Sequence, residues 1–432
     1  MRITGGSVCC PDGVKRNCDV IVRDGRLFLE DASPRADGEI VNASGSFILP
    51  GFIEIHTHGA GLFEFTMGKY NLERGEFDRS EEIYAEELPR YAQRRASTGV
   101  TGVYLGTWAS PLQQQQFCFR QLKKYMDSSG NGKDGSRILG GLLEGAFLNP
   151  QMAGAQNPAF IFKPEISLFD ELNESGVIRL VNLVPDYEEA SYRLTEYLTK
   201  KGISVGAGHT SATGEQFNRA IEKGLKYCIH FLNGPIGGSF KPFNGGGGVE
   251  AVLRENIYAE VIMDGIHVAP YYVRDVLARK GMDRVMAVSD AMFASQAQGV
   301  KEFTINGIKG RVDDGGRYVY VVDKPQLTLF SSIVTLDVAF GNLLSWLTAD
   351  MQGAWHKRHE GMSFDEALIA AVKCCATNIA DMLRWQGGDD LEAGELVNGK
   401  WADFVIADIS GQQGNYKLIV KQVYVRGEKV WG

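Results

Sequence analysis

The chain is poor in histidine and lacks the cysteine spacings that bind zinc or transfer electrons. Among its 432 residues there are 7 histidines. The 7 cysteines include two adjacent pairs, Cys9-Cys10 and Cys374-Cys375, but no Cys-x-x-Cys, and this excludes the usual zinc-knuckle and redox motifs. An odd number of cysteines without framework spacing predicts a reducing compartment, so we expect the cytoplasm.

The sequence also lacks long apolar runs and clustered charge. No uninterrupted apolar run reaches about 18 residues, so we expect no membrane span. Residues 1–6 contain no apolar signal core. The formal net charge is -8 and the positive charges are scattered, so we expect no nucleic-acid partner. With 44% hydrophobic and 23% charged residues, the composition is typical of a globular protein.

Beyond these absences, the chain alternates β-rich and helical stretches. Apolar strand-like runs and helical stretches alternate roughly eight times between residues 54 and 385, which favours a parallel (β/α)8 barrel. A doubly wound sheet is the alternative, but no glycine-rich phosphate loop follows the first strand. A β-rich insert is predicted at about residues 300–326.

Both ends of the chain read as short strands separated by turns. Asp24-Gly25 lies between two β-rich runs and predicts a hairpin. The predicted architecture is therefore α/β. It combines a TIM-like barrel over residues 54–385 with a small β-sandwich domain built from both termini, residues 1–53 with 386–432.

The stretch at residues 47–59 is the most informative one. Residues 47–55 predict one buried strand, and His56-Thr57-His58-Gly59 follows it. Residues two apart in a strand point to the same face, so both imidazoles could bind one metal ion. Imidazole nitrogen suits zinc, iron, cobalt or nickel.

Other polar side chains follow strand-like runs in the same way. A parallel barrel gathers such side chains at the carboxyl ends of its strands. With the first two histidines, the set is His56, His58, Glu144, His209, His230, His267 and Asp290. Each alone has an ordinary explanation, such as a helix N-cap for Asp290, but seven together favour one metal site. His356 and His359 lie in a polar connection and are predicted at the surface.

Several of these stretches resemble the motifs of one enzyme superfamily. Residues 50–59 resemble the first metal motif of the amidohydrolases, and residues 399–405 resemble their closing β-domain. Closer similarity to one branch, the N-acetylglucosamine-6-phosphate deacetylases, comes from residues 143–150, 208–212, 230–233, 264–268 and 288–291. The resemblance covers nearly the whole chain, in order.

The resemblance implies a hydrolase that removes the acetyl group from an amino sugar, with one or two divalent ions. Zinc is the first choice, with iron, cobalt or nickel as alternatives. The implied ligands are Glu144, His209 and His230 for the principal ion and His56 and His58 for a second. Asp290 would act as general base and then general acid, and His267 would polarise the acetyl carbonyl. A homodimer is also implied.

The positions implied to contact the sugar depart from the family pattern. They are Ala155, Gln156, Asn233, Gly234, Lys241, His267, Leu329, Phe330 and Ser331. Gln156 stands where the family has a histidine, Gly234 where it has an alanine, and Phe330 where it has a small residue. Lys241 is the nearest cation to the expected phosphate-binding arginine, but lysine binds phosphate as a point charge rather than as a fork.

These departures leave other functions open. One alternative is an amidohydrolase acting on an unphosphorylated N-acetyl sugar, an N-acyl amino acid or a cyclic amide. The other is a non-catalytic barrel that serves as an interaction scaffold. Metal-dependent deacetylation is therefore indicated more strongly than recognition of a 6-phosphate.

Overall fold

The computed structural model describes residues 1–16, 18–31, 38–233, 245–324, 326–384 and 392–432. Its central sheet has eight parallel strands, each hydrogen-bonded to the next in chain order. They are Phe52–Glu54, Val100–Gly106, Arg137–Phe147, Ile178–Leu183, Ser204–Ala207, Leu225–Cys228, Tyr258–Ile262 and Val285–Val288. We number them as barrel strands one to eight. The predicted parallel barrel order is confirmed.

A helix follows each of the first seven barrel strands. These helices are Glu81–Ala96, Leu112–Met126, Ile166–Leu172, Glu189–Lys200, Gly214–Glu222, Gly248–Arg254 and Pro270–Lys280. After the eighth strand come Leu336–Thr348, Phe364–Val372, the π-helical turn Lys373–Thr377 and Asn378–Leu383. Among the described residues, no helix has both the length and the apolar character needed to cross a bilayer.

The eighth strand meets the first at and just beyond their carboxyl ends. The backbone N–H of Asp290 donates to the carbonyl of His56 at 2.8 Å. The carboxylate of Glu54 accepts the backbone N–H of Ser289 at 3.1 Å. Two residues with predicted roles in the metal site, His56 and Asp290, therefore lie on the seam that closes the barrel.

The prediction of one strand over residues 47–55 is wrong. Phe47–Pro50 and Phe52–Glu54 are separate strands in different sheets. The chain changes sheets at Gly51, where an added Cβ would lie 2.2 Å from side-chain atoms of Thr101. No side chain fits at such a distance, so a glycine is required where the two sheets meet.

The strands of the two chain ends form two further sheets. One has the order Arg26–Asp31, Cys18–Arg23, Arg2–Thr4 and Ile40–Asn42. The other has the order Glu428–Trp431, Asn415–Val425, Phe404–Gln412, Phe47–Pro50, Ser7–Cys10 and Gly13–Lys15. Cys18–Arg23 and Arg26–Asp31 pair as the predicted hairpin. Ile3, Ile48 and Phe404 share one buried apolar cluster, so strands from both ends pack together.

Two small antiparallel sheets lie outside the barrel. The first contains Gly59–Ala60, Phe63–Glu64, Gly68–Asn71 and Glu76–Asp78. The second is the predicted insert and contains Glu302–Ile305, Ile308–Val312 and Val319–Val321. Tyr70, Trp108, Phe293 and Phe303 belong to one buried cluster. This aromatic cluster joins both sheets to the loops that carry the candidate site.

Candidate metal centre

Histidines that follow three barrel strands, the first, fifth and sixth, converge on the carboxylate of Glu144 in the third strand. The glutamate lies in the third strand and is 2% exposed. Its Oε1 atom is 3.2 Å from Nε2 of His230, 3.5 Å from Nε2 of His209 and 3.6 Å from Nε2 of His56. Its Oε2 atom is 3.5 Å from Nε2 of His58. The structure thus brings together the five residues predicted as metal ligands.

Two of these imidazoles are oriented by backbone carbonyls. Nδ1 of His58 lies 3.2 Å from the carbonyl oxygen of Gly106, and Nδ1 of His209 lies 3.0 Å from that of Met152. A carbonyl only accepts hydrogen bonds, so each Nδ1 carries the proton and each Nε2 presents a lone pair to the centre. Metal-binding histidines are typically fixed in this way.

A third imidazole, that of His56, is oriented by a buried carboxylate. Its Nδ1 lies 2.8 Å from Oε2 of Glu260, which is 0% exposed. The same oxygen accepts the backbone N–H of His230 at 3.1 Å. Glu260 therefore fixes one candidate ligand through its ring and a second through its backbone.

The donor set fits a divalent ion. Nε2 of His56 is buried and has no hydrogen-bond partner, which is costly unless an ion or water satisfies it. Two groups of three ligand atoms lie within 4.8 Å of one another: His56, His58 and Glu144, and Glu144, His209 and His230. Imidazole and carboxylate ligands in such numbers are typical of zinc and related hydrolytic metals.

Asp290 lies beside the histidines of the first strand. Its Oδ1 atom is 3.2 Å from Nε2 of His58 and 3.6 Å from Nε2 of His56. Burial raises the pKa of Asp290, but contact with His58 and the nearby imidazoles outweighs the effect of burial, so the pKa lies below its ordinary value. The described chain from 291 to 301 contains no helix, so the N-cap explanation does not apply.

Several site residues adopt left-handed backbone conformations. The φ angles are 57° at His209, 29° at His230, 49° at Asp290 and 57° at Ser331. Such conformations cost about 1–3 kcal/mol each and cluster at functional sites. Ser331 Oγ donates to the carbonyl of Asp290 and lies 3.1 Å from its Oδ1, so the surroundings hold both residues in place.

Four of the candidate metal ligands line a cavity of about 410 Å³. They are His58, Glu144, His209 and His230. Of the predicted sugar-contacting residues, those that line it are Ala155, Gln156, Asn233, His267, Leu329 and Ser331. Phe330 is fully buried, and its ring packs on Trp108 with centroids 5.1 Å apart. Gly234 and Lys241 lie outside the described residues.

Gln156 lines the cavity, but its amide is engaged by protein groups. Its Nε2 atom donates to Oε2 of Glu144 at 2.7 Å, and its Oε1 atom accepts the backbone N–H of Ala109 at 2.7 Å. The side chain is thus placed to orient the central carboxylate. His267 is held differently, because its Nδ1 lies 2.6 Å from Oδ2 of Asp264.

Sequence reasoning missed three residues at this site. Trp108 stacks on His58 with ring centroids 4.3 Å apart, and its place just after the second strand could have identified it. Glu260 is the one charged residue in the strand Tyr258–Ile262, and a charged residue within an apolar strand could have indicated a site residue. Lys324 lines the cavity from the end of the insert, after its last strand, and no local pattern indicates it.

The prediction that the last two histidines are surface residues is wrong for one of them. The side chain of His356 is 42% exposed, whereas that of His359 is 6% exposed. Nε2 of His359 lies 2.7 Å from Oδ1 of Asp275, a carboxylate on the helix Pro270–Lys280. A buried hydrogen bond therefore holds this connection against the barrel.

Comparisons with known proteins agree with this geometry. No family model matches the chain. It is 27% identical over 409 residues to N-acetylglucosamine-6-phosphate deacetylase of Lysinibacillus sphaericus, covering 92% of this chain and 90% of the relative. It is 26% identical over 394 residues to N-acetylgalactosamine-6-phosphate deacetylase of Escherichia coli O157:H7, covering 90% and 89%.

Solved structures show the same fold. The crystal structure of N-acetyl-D-glucosamine-6-phosphate deacetylase from Mycobacterium smegmatis matches with a TM-score of 0.80 and 22% identity, covering 100% of each chain. The resemblance that the motifs indicated is therefore confirmed. Over nearly its whole length, the chain is similar to the N-acetylglucosamine-6-phosphate deacetylases, with other amidohydrolases as more distant structural neighbours.

Proposed function

We propose that this chain is a metal-dependent hydrolase that removes the acetyl group from N-acetylglucosamine 6-phosphate or a closely related N-acetylated amino sugar. The products would be acetate and the amino sugar. The observation that carries this proposal is the convergence of His209 and His230 on Glu144, with the carboxylate of Asp290 beside His58. Two curated relatives that match over 90% or more of the chain are named for this reaction and for its galactosamine counterpart.

We propose that Glu144, His209 and His230 hold the principal ion, and that His56 and His58 hold a second. Zinc is our first choice, with iron, cobalt or nickel as alternatives. When bound, a divalent ion lowers the pKa of water to about 7 and polarises the substrate carbonyl. The side chains then need only to position the amide and move one proton.

Asp290 is proposed to move that proton. Its ionised carboxylate would accept a proton as water attacks the acetyl carbon, and would deliver it to the amine nitrogen as the C–N bond breaks. One water is consumed, and acetate and a free amine leave. A positioned acid–base group of this kind is worth about 10²–10⁴-fold in rate.

His267 is proposed to contact the acetyl carbonyl. Burial raises the pKa of its partner Asp264, but the hydrogen bond from His267 and backbone N–H groups outweigh this and lower it. The resulting carboxylate holds Nδ1 of the ring at 2.6 Å, which leaves Nε2 for the substrate. Contact of this ring with the carbonyl oxygen would stabilise the negative charge that develops there.

The 6-phosphate part of the proposal is supported by Lys324. It is the only lysine or arginine among the described residues that line the cavity. We propose that Lys324 contributes to binding the phosphate, together with Lys241. A charge-assisted contact of this kind is worth about 1.5–3 kcal/mol.

The test is acetate release by the metal-loaded protein from four substrates: N-acetylglucosamine 6-phosphate, its galactosamine epimer, unphosphorylated N-acetylglucosamine and an N-acetyl amino acid. We expect kcat/KM to be highest for a phosphorylated sugar. Lys324→Ala should raise KM about 10-fold for that sugar alone, whereas Lys309→Ala, an exposed lysine on the same insert, should not.

Other outcomes would identify the alternatives. Turnover of N-acyl amino acids or cyclic amides without turnover of sugars would indicate a different amidohydrolase. A metal-loaded protein that hydrolyses none of these amides would indicate a scaffold. Equal rates for phosphorylated and free N-acetylglucosamine would remove the phosphate from the proposal and leave the deacetylation in place.

We also propose the wider organisation of the enzyme. Residues 1–53 with 386–432 would form one small β-sandwich domain beside the barrel of residues 54–385. The apolar cluster that contains Ile3, Ile48 and Phe404 supports this division. A homodimer is proposed from the family resemblance. A cytoplasmic location is proposed from the odd number of cysteines, which lack the spacing of a disulfide framework. Light scattering of the purified protein tests the dimer.

A further inference from the structure

A second group of metal-ligating side chains lies away from the catalytic cavity. Asp275 is on the helix Pro270–Lys280 and is 0% exposed. Its Oδ1 atom lies 2.7 Å from Nε2 of His359 and 3.3 Å from Nδ1 of His356. The three ligand atoms lie within 4.8 Å of one another. None of these residues lines the catalytic cavity.

The carboxylate is already prepared to carry a charge in this buried position. Its oxygens accept the backbone N–H groups of Ala354 at 2.7 Å, Trp355 at 2.7 Å and His356 at 3.1 Å. These donors and the contact with His359 stabilise the ionised carboxylate. The backbone N–H groups also fix the direction in which Oδ1 points.

Hydrogen bonding alone leaves one nitrogen unexplained. Nδ1 of His356 is buried and has no hydrogen-bond partner, although the rest of the ring is partly exposed. A polar atom that is buried without a partner destabilises the folded protein. The hydrogen bond between Asp275 and His359 leaves Nδ1 of His356 without a partner. An ion between the two rings and the carboxylate would give this nitrogen a partner.

We propose that Asp275, His356 and His359 form a second, non-catalytic site for a divalent transition metal such as zinc. Two imidazoles and a carboxylate with one open position are a common zinc ligand set. Tetrahedral bonds of about 2.0–2.1 Å place ligand atoms about 3.4 Å apart. The 3.3 Å separation already matches, and the 2.7 Å hydrogen bond would open as its proton leaves and the ion replaces it.

The site would join two segments that are far apart in sequence. Arg274, the neighbour of Asp275, donates to backbone carbonyls of Trp346, Ala349 and Glu360. Arg274 thus already connects the helix Pro270–Lys280 to residues 346–360. An ion at Asp275 would add a second connection between the same two segments. The helix begins three residues after His267.

The experiment measures zinc stoichiometry and affinity without relying on turnover. Chelator-treated protein is titrated with Zn²⁺ by calorimetry, and bound zinc is counted by mass spectrometry after gel filtration. His356→Ala should bind one equivalent fewer than wild type. Lys357→Ala, an exposed residue in the same connection, should bind the same number. Circular dichroism confirms that both variants are folded.

A second arm isolates the new site. In a Glu144→Ala background, which removes the residue shared by both catalytic ligand groups, the proposed site should keep one equivalent. Adding His356→Ala or His359→Gln should then weaken that binding at least 10-fold. Equal stoichiometry in wild type and His356→Ala, or no zinc retained by folded Glu144→Ala protein, would overturn the proposal. Neither result depends on the substrate of the catalytic site.

Discussion

Glu260 offers a test of how the metal ligands are oriented. It is fully buried and hydrogen-bonds the ring of His56 at 2.8 Å and the backbone N–H of His230 at 3.1 Å. Glu260→Gln keeps the shape of the side chain and one acceptor oxygen, but it removes the negative charge that holds the proton on Nδ1 of His56. We expect metal at the centre to bind more weakly, with little loss of folding.

The magnitude follows from the number of ligands affected. Loss of a carboxylate that orients a ligating histidine typically costs 10–100-fold in metal affinity or activity, which is about 1.4–2.7 kcal/mol. The substitution changes the hydrogen-bond partner of the His56 ring and only weakens the contact with the backbone of His230. We therefore expect a loss of metal affinity in the lower half of this range. The fall in kcat/KM at limiting metal should match the fall in affinity.

The assay is competition for Zn²⁺ with a chromophoric chelator, followed by acetate release at limiting and saturating zinc. Glu87→Gln serves as the matched control. Glu87 is 1% exposed and bound by Lys69, Arg90 and Arg94, away from the cavity. It should change stability but not zinc affinity. Unchanged zinc affinity in Glu260→Gln would refute the reasoning about ring orientation.

Two further substitutions test individual roles. Asp290→Asn should lower kcat by about 10²–10⁴-fold while zinc stays bound. An unchanged kcat would show that Asp290 does not transfer the proton. Gln156→Met keeps the volume but loses the hydrogen bond to Glu144, worth about 1.5–3 kcal/mol, so kcat/KM should fall about 10–100-fold. An effect of Gln156→Met on KM alone would instead indicate direct contact with the sugar.

Much of the barrel could be predicted because its signals are local. Apolar runs alternate with amphipathic stretches, and polar residues follow the runs at strand ends, where a parallel barrel gathers them. His209 and His230 were found in this way, although they are 21 positions apart in sequence. The strand break at Gly51 was missed because it depends on a contact with Thr101, which only the folded barrel creates.

The rest of the site depends on contacts between distant segments. Gln156 was expected to contact sugar because of its place in a motif, yet its amide lies on Glu144 and Ala109. His359 was expected at the surface because its neighbours are polar, yet it pairs with Asp275, 84 positions away. Polar neighbours in the sequence predict an exposed side chain only when no distant residue provides a buried hydrogen-bond partner.

The most direct test of the central claim is the position of the bound metal. Crystals grown with zinc should show an anomalous-scattering peak at the absorption edge about 2.0–2.2 Å from Nε2 of His209, Nε2 of His230 and a carboxylate oxygen of Glu144. Such a peak would place the hydrolytic ion where the account requires it. Zinc bound elsewhere, with these three side chains lacking metal at saturating zinc, would contradict the account.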